Sequence, residues 1–204
     1  APPPDGAWAQ FPILAAVNGI DVSTITVEPV GFPTREPSLA EGTVDSVTGF
    51  NFSSYLSAVR LGVPEDDLTT ILFADHGVKL YGNAIIVNTD YAAANPEIVT
   101  AFLGAVVDGV RDAMADPAAG AAAVIARNPA GDVDLETRRL QMALDANIAT
   151  AYALENGMGD IDPARMAEAL EQMTIVYDFQ NAPDASLYFT DAYLPPVEER
   201  SLAQ

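Results

Sequence analysis

One histidine, one lysine and no cysteine make a short inventory for covalent or metal chemistry. Without a thiol the chain has no thiolate nucleophile, no disulfide and no cysteine-type zinc site. Any Ser-His catalytic pair must draw on His76, which stands in Asp75-His76-Gly77, a sequence that reads as a turn between two strands. Lys79 is the single Schiff-base candidate and reads as a solvated side chain. Neither the calcium-loop nor the phosphate-loop spacing occurs. The residues that stand out are suited to binding.

Three stretches carry them. In Pro2-Pro3-Pro4-Asp5-Gly6-Ala7-Trp8 a glycine opens a helix, so its first N–H groups can face an acidic or polar ligand group with Trp8 beside them. A structural role, Asp5 capping the helix and Trp8 in the core, explains the same residues. In Thr48-Gly49-Phe50-Asn51-Phe52-Ser53-Ser54, polar and aromatic groups follow a strand, at the end where open α/β sheets hold ligands. A turn and a helix cap account equally for Gly49 and Asn51. Tyr81-Gly82-Asn83 opens the apolar run Ala84-Ile85-Ile86-Val87, with Gly82 permitting close approach of a ligand or another backbone. Arg35-Glu36 reads as a solvated pair at a helix start.

The elements that must position these residues alternate over the first 90 positions. Helical spacing covers 7–18, a short helix 33–41 closed by Gly42, and a third 52–61 ending at Gly62. β-branched or apolar runs at 24–27, 44–48, 69–74 and 84–87 read as strands, the last as one buried on both faces of a sheet. The second half is almost continuous helix. Pro96 opens a helix with Ile98, Val99, Phe102, Leu103, Val106, Val107, Val110 and Met114 on one stripe. Asp116-Pro117 starts the next, through 126. Asp134 starts one to about 154, and Asp162-Pro163 starts the last, to about 177. Residues 180–204 read as extended surface wrapping.

The 204 residues, half of them hydrophobic, suffice for a substantial core. The longest apolar runs stop far short of a membrane span, Asp108 cutting off 101–107, so no direct membrane insertion is expected. Twenty-nine acidic residues against nine Lys plus Arg give a net charge of −20, a field that repels nucleic acid and anionic membranes. The absence of cysteine suits an exported protein, and Ala1 is the start expected of a processed, truncated or cytoplasmic chain.

Taken in order, Ala1-Pro2-Pro3-Pro4-Asp5-Gly6-Ala7, the segment from Leu39 to Phe50, Leu80-Tyr81-Gly82-Asn83-Ala84-Ile85-Ile86-Val87-Asn88 and Asn95-Pro96-Glu97-Ile98-Val99 resemble the solute-binding proteins of ABC importers in the nitrate, sulfonate, taurine and thiamine-precursor group. The resemblance runs from Ala1 to about Pro196. It implies an α/β fold, a periplasmic-binding-protein type II-like lobe over 1–88 with a mostly helical segment over 89–204 returning toward a first lobe. Ala1 aligns where such chains enter their second lobe, so a first lobe on the order of a hundred residues is expected to be absent, leaving helix stripes open to self-association.

The resemblance further implies a periplasmic, non-enzymatic protein without a cofactor, handing a small solute to a membrane permease. Its ligand-facing positions would be Asp5, Gly6, Trp8, Gly49, Phe50, Asn51, Tyr81 and Asn83. Aromatic faces mixed with amide and carboxylate groups suit a flat polar ring such as a pyrimidine better than a bare anion, although Arg35 could serve a sulfonate or carboxylate. A thiamine-pyrimidine synthase using pyridoxal on Lys79 and the sensing module of a regulator are the alternatives with the same fold.

Overall fold

Asp5 sets the first helix. Its backbone is extended and its carboxylate accepts a hydrogen bond from the Ala7 amide at 3.1 Å, so α1 (Gly6–Asn18) begins there. Gly19, left-handed at φ 65°, ends it, and its N–H answers the carbonyls of Ala15 and Ala16. These are features of a computed structural model that describes every residue except Pro4, Ala182, Pro183 and Gln204. One proline of the opening motif and three residues of the expected surface-wrapping tail therefore lie outside the described residues. The chain divides into two compact units, one of Ala1–Leu80 with Ala167–Pro183, the other of Tyr81–Met166 with Asp184–Gln204.

In the first unit α1 is joined by α2 (Arg35–Ala40) and α3 (Asn51–Arg60). Ile13 and Leu14 of α1 and Val78 form the buried centre, with Phe11, Phe73, Leu80, Met173 and Val176 packed around them. Each of the two α1 side chains contributes roughly 1.5–3 kcal/mol by leaving water. Polar side chains tie the segments that bring these groups together. The Asn18 amide donates to the carbonyls of Leu14 (2.9 Å) and His76 (2.8 Å). Gln172 donates to the Gly77 carbonyl and accepts from the Lys79 amide, both at 2.8 Å.

The second unit holds α4 (Thr89–Ala94), α5 (Pro96–Ala115), α6 (Pro117–Arg127), α7 (Val133–Ala143), α8 (Ala151–Asn156), the first residues of α9 (Pro163–Met173) and α10 (Val197–Arg200). Their starts are chemically marked. Asn88, Asp116, Asp132 and Thr150 each accept a hydrogen bond from the amide three residues on. The helix expected to run unbroken to about 154 instead starts at the Asp132 cap and breaks at a π-helical turn, Leu144–Ile148, where the Ala149 amide reaches the Leu144 carbonyl. Thr150 then caps a new helix, the local side-chain bond competing with continuation. The α5 stripe divides as well: Val99 and Val107 are buried, whereas Ile98 and Phe102 are about half exposed.

The expected α/β architecture is not present. Among the described residues no segment is a strand. Ile25, Leu68, Leu72 and Asn88 have extended backbone, yet no inter-strand hydrogen bonds join the runs 24–27, 44–48, 69–74 and 84–87 into a ladder. Thr24 closes a 3₁₀ turn, Val22–Thr24, and Phe73 opens another, Phe73–His76. The run read as buried on both faces is open to solvent, with Ile86 at 92% exposure. β-branched residues favour a pleated surface only where a neighbouring strand supplies it, so their alternation marks extended backbone and not a sheet. Among the described residues no helix is long and apolar enough to cross a membrane.

Candidate functional site

The charged residues that the first unit buries lie together. Asp5, Arg35 and Glu36 are each less than 10% exposed. The Arg35 guanidinium donates from Nε and Nη2 to one Glu36 oxygen at 2.9 and 2.6 Å, and from Nη2 to Ser54 Oγ at 3.0 Å. Its Nη1 stands 3.5 Å from Asp5 Oδ2, which also accepts from the Thr48 hydroxyl at 2.7 Å. Arg35-Glu36 is thus a buried pair, not the solvated one its adjacency suggests. Burial acts first on the Glu36 carboxyl and pushes it up, but hydrogen bonds with Arg35, Ser54 and its own backbone amide, joined by the Arg35 charge, hold it below the usual carboxylate range.

This cluster draws two of the three sequence stretches to one place. The Thr48–Asp5 bond joins the start of α1 to the residues that precede α3. Between them Gly49 has no room for a side chain, since a Cβ there would run into Ser54 Oγ and lie 3.1 Å from the Arg35 guanidinium. Phe50 then begins α3 from extended backbone without supplying a side-chain cap, and Asn51 is its first residue. Each helix start carries a stacked aromatic pair: Trp8 on Phe11 and Phe50 on Phe52, both with centroids 5.3 Å apart and rings within 13° of parallel. Phe50 is 51% exposed, Trp8 is half-buried and Gly6 is exposed, so aromatic and backbone groups at both helix starts reach solvent.

Tyr81 and Asn83 belong to the second unit, where Asn83 is exposed and Tyr81 half-buried. The Tyr81 hydroxyl accepts from the Asp162 amide at 2.9 Å and faces the Asp162 carbonyl at 3.4 Å, while the Arg165 guanidinium lies 4.2 Å over its ring. Tyr152 shares this corner. Burial, then the charges of Asp160 and Asp162 and the neighbouring Tyr81, raise its phenol above the ordinary value, with Arg200 acting in the opposite sense. A Cβ on Gly82 would touch nothing within 4 Å, so close packing does not explain that glycine.

His76 is exposed at the end of its 3₁₀ turn, and Lys79 is half-buried. A depression of about 480 Å³ lies between Thr174 and Asn181, formed by one continuous segment that contains none of the candidate residues. Among the described residues no group of three His, Asp or Glu side chains is placed to hold a metal ion. Sequence reasoning missed Thr48 and Ser54 as partners of Asp5 and Arg35. It also missed Asp162 as the partner of Tyr81, although the Asp-Pro signal that marks Asp162 as a helix start was visible.

Residues 5–120, more than half of the chain, match the family described as NMT1/THI5 like. The chain is similar to the riboflavin-binding protein RibY of Chloroflexus aurantiacus, 26% identical over 192 residues that cover 91% of this chain and 52% of that protein. It therefore spans about half the length of that curated relative. No solved structure matches it.

Proposed function

The chain belongs to the NMT1/THI5-like family, and from that premise we propose that it captures a small, flat, polar and uncharged ring compound of the flavin or pyrimidine kind, for delivery outside the cytoplasm to the permease of an ABC importer. The observation that carries this reading is the state of Arg35. Its guanidinium is buried and turned onto Glu36, Ser54 and Asp5, so one cation faces two carboxylates. Nitrate or a sulfonate would need a cation within reach and would meet a cluster already negative on balance. A neutral ring needs no such cation. It gains by stacking on Trp8 or Phe50, about 0.5–1.5 kcal/mol per aromatic pair beyond the area buried.

Asp5, Gly6, Trp8, Gly49, Phe50 and Asn51 are the first unit's ligand contacts or their direct supports in this reading, and Tyr81 and Asn83 are the second unit's candidates. The riboflavin-binding relative supports the same ligand class, and capture without turnover accords with its being a binding protein. Trp8 is the chain's one tryptophan, so its emission reports on the site directly. Titrating the full chain with riboflavin is expected to quench that emission saturably, with taurine giving no change, and Trp8→Ala is expected to weaken binding roughly two- to tenfold when followed by the flavin's own fluorescence. A saturable response to taurine with none to riboflavin would overturn the ring-ligand reading.

A further inference from the structure

The second unit buries one arginine that the ligand reading does not use. Arg200, at the end of α10, is 6% exposed. It reaches into the bend after α8: Nη1 donates to the carbonyls of Asn156 (3.0 Å) and Met158 (3.2 Å), and Nη2 approaches Asp160 at 3.3 Å. The Met158 amide answers by donating to the Arg200 carbonyl at 2.8 Å. Gly157, at φ 83°, allows this approach, since a Cβ there would lie 3.0–3.2 Å from Arg200 atoms. The guanidinium is held in place from the chain side too. Arg111 of α5 donates to the carbonyls of Glu199 and Ser201, each at 2.8 Å, and Leu202 is 2% exposed.

Two residues beyond Asp160, the backbone amide of Asp162 donates to the Tyr81 hydroxyl. A continuous set of bonds thus runs from the C-terminal segment through 156–162 to Tyr81. Arg200 Nε is buried and has no hydrogen-bond partner among the described residues, a cost of the kind a surface-exposed arginine would not carry. We propose that Arg200 is a positioning residue for Tyr81: the C-terminal segment clasps the 156–160 bend, and the bend presents the Asp162 amide that fixes the tyrosine hydroxyl. The ligand half of this proposal rests on Tyr81 being a ligand residue; the clasp itself does not.

Amide exchange at Asp162 measures the clasp, because that N–H is bound to a side chain and not to the helix. Arg200→Gln in the full chain is expected to speed Asp162 exchange about fivefold while the amide of Ala121 on α6 keeps its protection, with Arg200→Lys falling between it and the native chain. Arg111→Gln, which removes the bonds that hold the Glu199 and Ser201 carbonyls on either side of Arg200, is expected to act in the same direction and covers the case in which Arg200→Gln fails to fold. Unchanged Asp162 exchange in these variants, or a loss shared equally by Ala121, would overturn the clasp. Where the native chain binds riboflavin, Arg200→Gln is expected to weaken affinity about as much as Tyr81→Phe, and the double variant no more than either alone. Full additivity would overturn the link to Tyr81. A native chain that ignores riboflavin would sink the ligand reading and leave the exchange rates to decide the clasp.

Discussion

Arg35 and Arg200, one in each unit, are both buried, and they are satisfied in opposite ways. Arg35 is met by charge: Glu36 takes two of its N–H groups and Asp5 stands at 3.5 Å. Arg200 is met mainly by backbone carbonyls; among the described residues its single carboxylate partner is Asp160, whose side chain is 29% exposed, and its Nε is unanswered. A guanidinium met by two buried carboxylates is part of a charge cluster that resists the entry of a further anion. One that binds carbonyls fixes the path of the main chain. In the proposed reading the first arrangement shapes which ligand the surface admits, and the second shapes where a loop lies.

The widest gap between the two is expected on breaking them. Glu36→Gln leaves Arg35 paired with Asp5 at 3.5 Å and replaces the charged acceptor of two of its N–H groups by a neutral amide, so a loss of about 2–3 kcal/mol is expected in urea unfolding. A loss below about 1 kcal/mol would mean that the Arg35 cluster is no more closed than that of Arg200. Acid sharpens the same point. The Glu36 carboxyl is depressed in the folded chain, so its contribution is present above its ordinary value of 4.5 and is lost as pH falls below that value, through the folded one. The stability difference between the native chain and Glu36→Gln should therefore be constant near neutrality and shrink below about pH 4.5. Taking the difference cancels the self-repulsion that acid relieves in a chain of net charge −20.

Glycines offer a second, smaller contrast. Gly49→Ala sets a methyl against Ser54 Oγ and the held Arg35 fork, and about 1–3 kcal/mol of destabilisation is expected. Gly82→Ala in the second unit meets open space and should stay within about 0.5 kcal/mol. Equal effects in thermal unfolding would mean that the first-unit cluster yields as freely as an exposed loop.

What was legible in the sequence follows from the range of the interactions. The starts of α1, α6 and α9 were readable because Asp5, Asp116 and Asp162 act on amides two or three residues away. The strands at 24–27 and 84–87 were misread because a ladder depends on a partner that no local pattern contains. Arg35-Glu36 looked solvated for the same reason. Its burial is set by Ser54, 19 positions from Arg35, and by Asp5, which Thr48 binds across 43 positions. The convergence of Asp5 with Gly49 was expected from a family resemblance, and the bond that produces it, Thr48 to Asp5, was not foreseen.

The smallest expected effect is the one that tests the comparison most directly. Asp160→Asn removes the carboxylate charge that faces Arg200 and keeps one oxygen, which can accept from Nη2 or from the Ile161 amide but not from both, since these bonds use different carboxylate oxygens. Water reaches Asp160, so the Coulomb energy lost is screened, and the carbonyls of Asn156 and Met158 continue to hold Nη1. A change of about 0.5–1 kcal/mol in urea unfolding is expected, several times less than for Glu36→Gln. If Asp160→Asn instead cost about 3 kcal/mol, Arg200 would depend on charge as Arg35 does. The carbonyls would then be secondary contacts, and the distinction between an ion-closing cluster and a chain-fixing clasp would fail at the residue meant to define it.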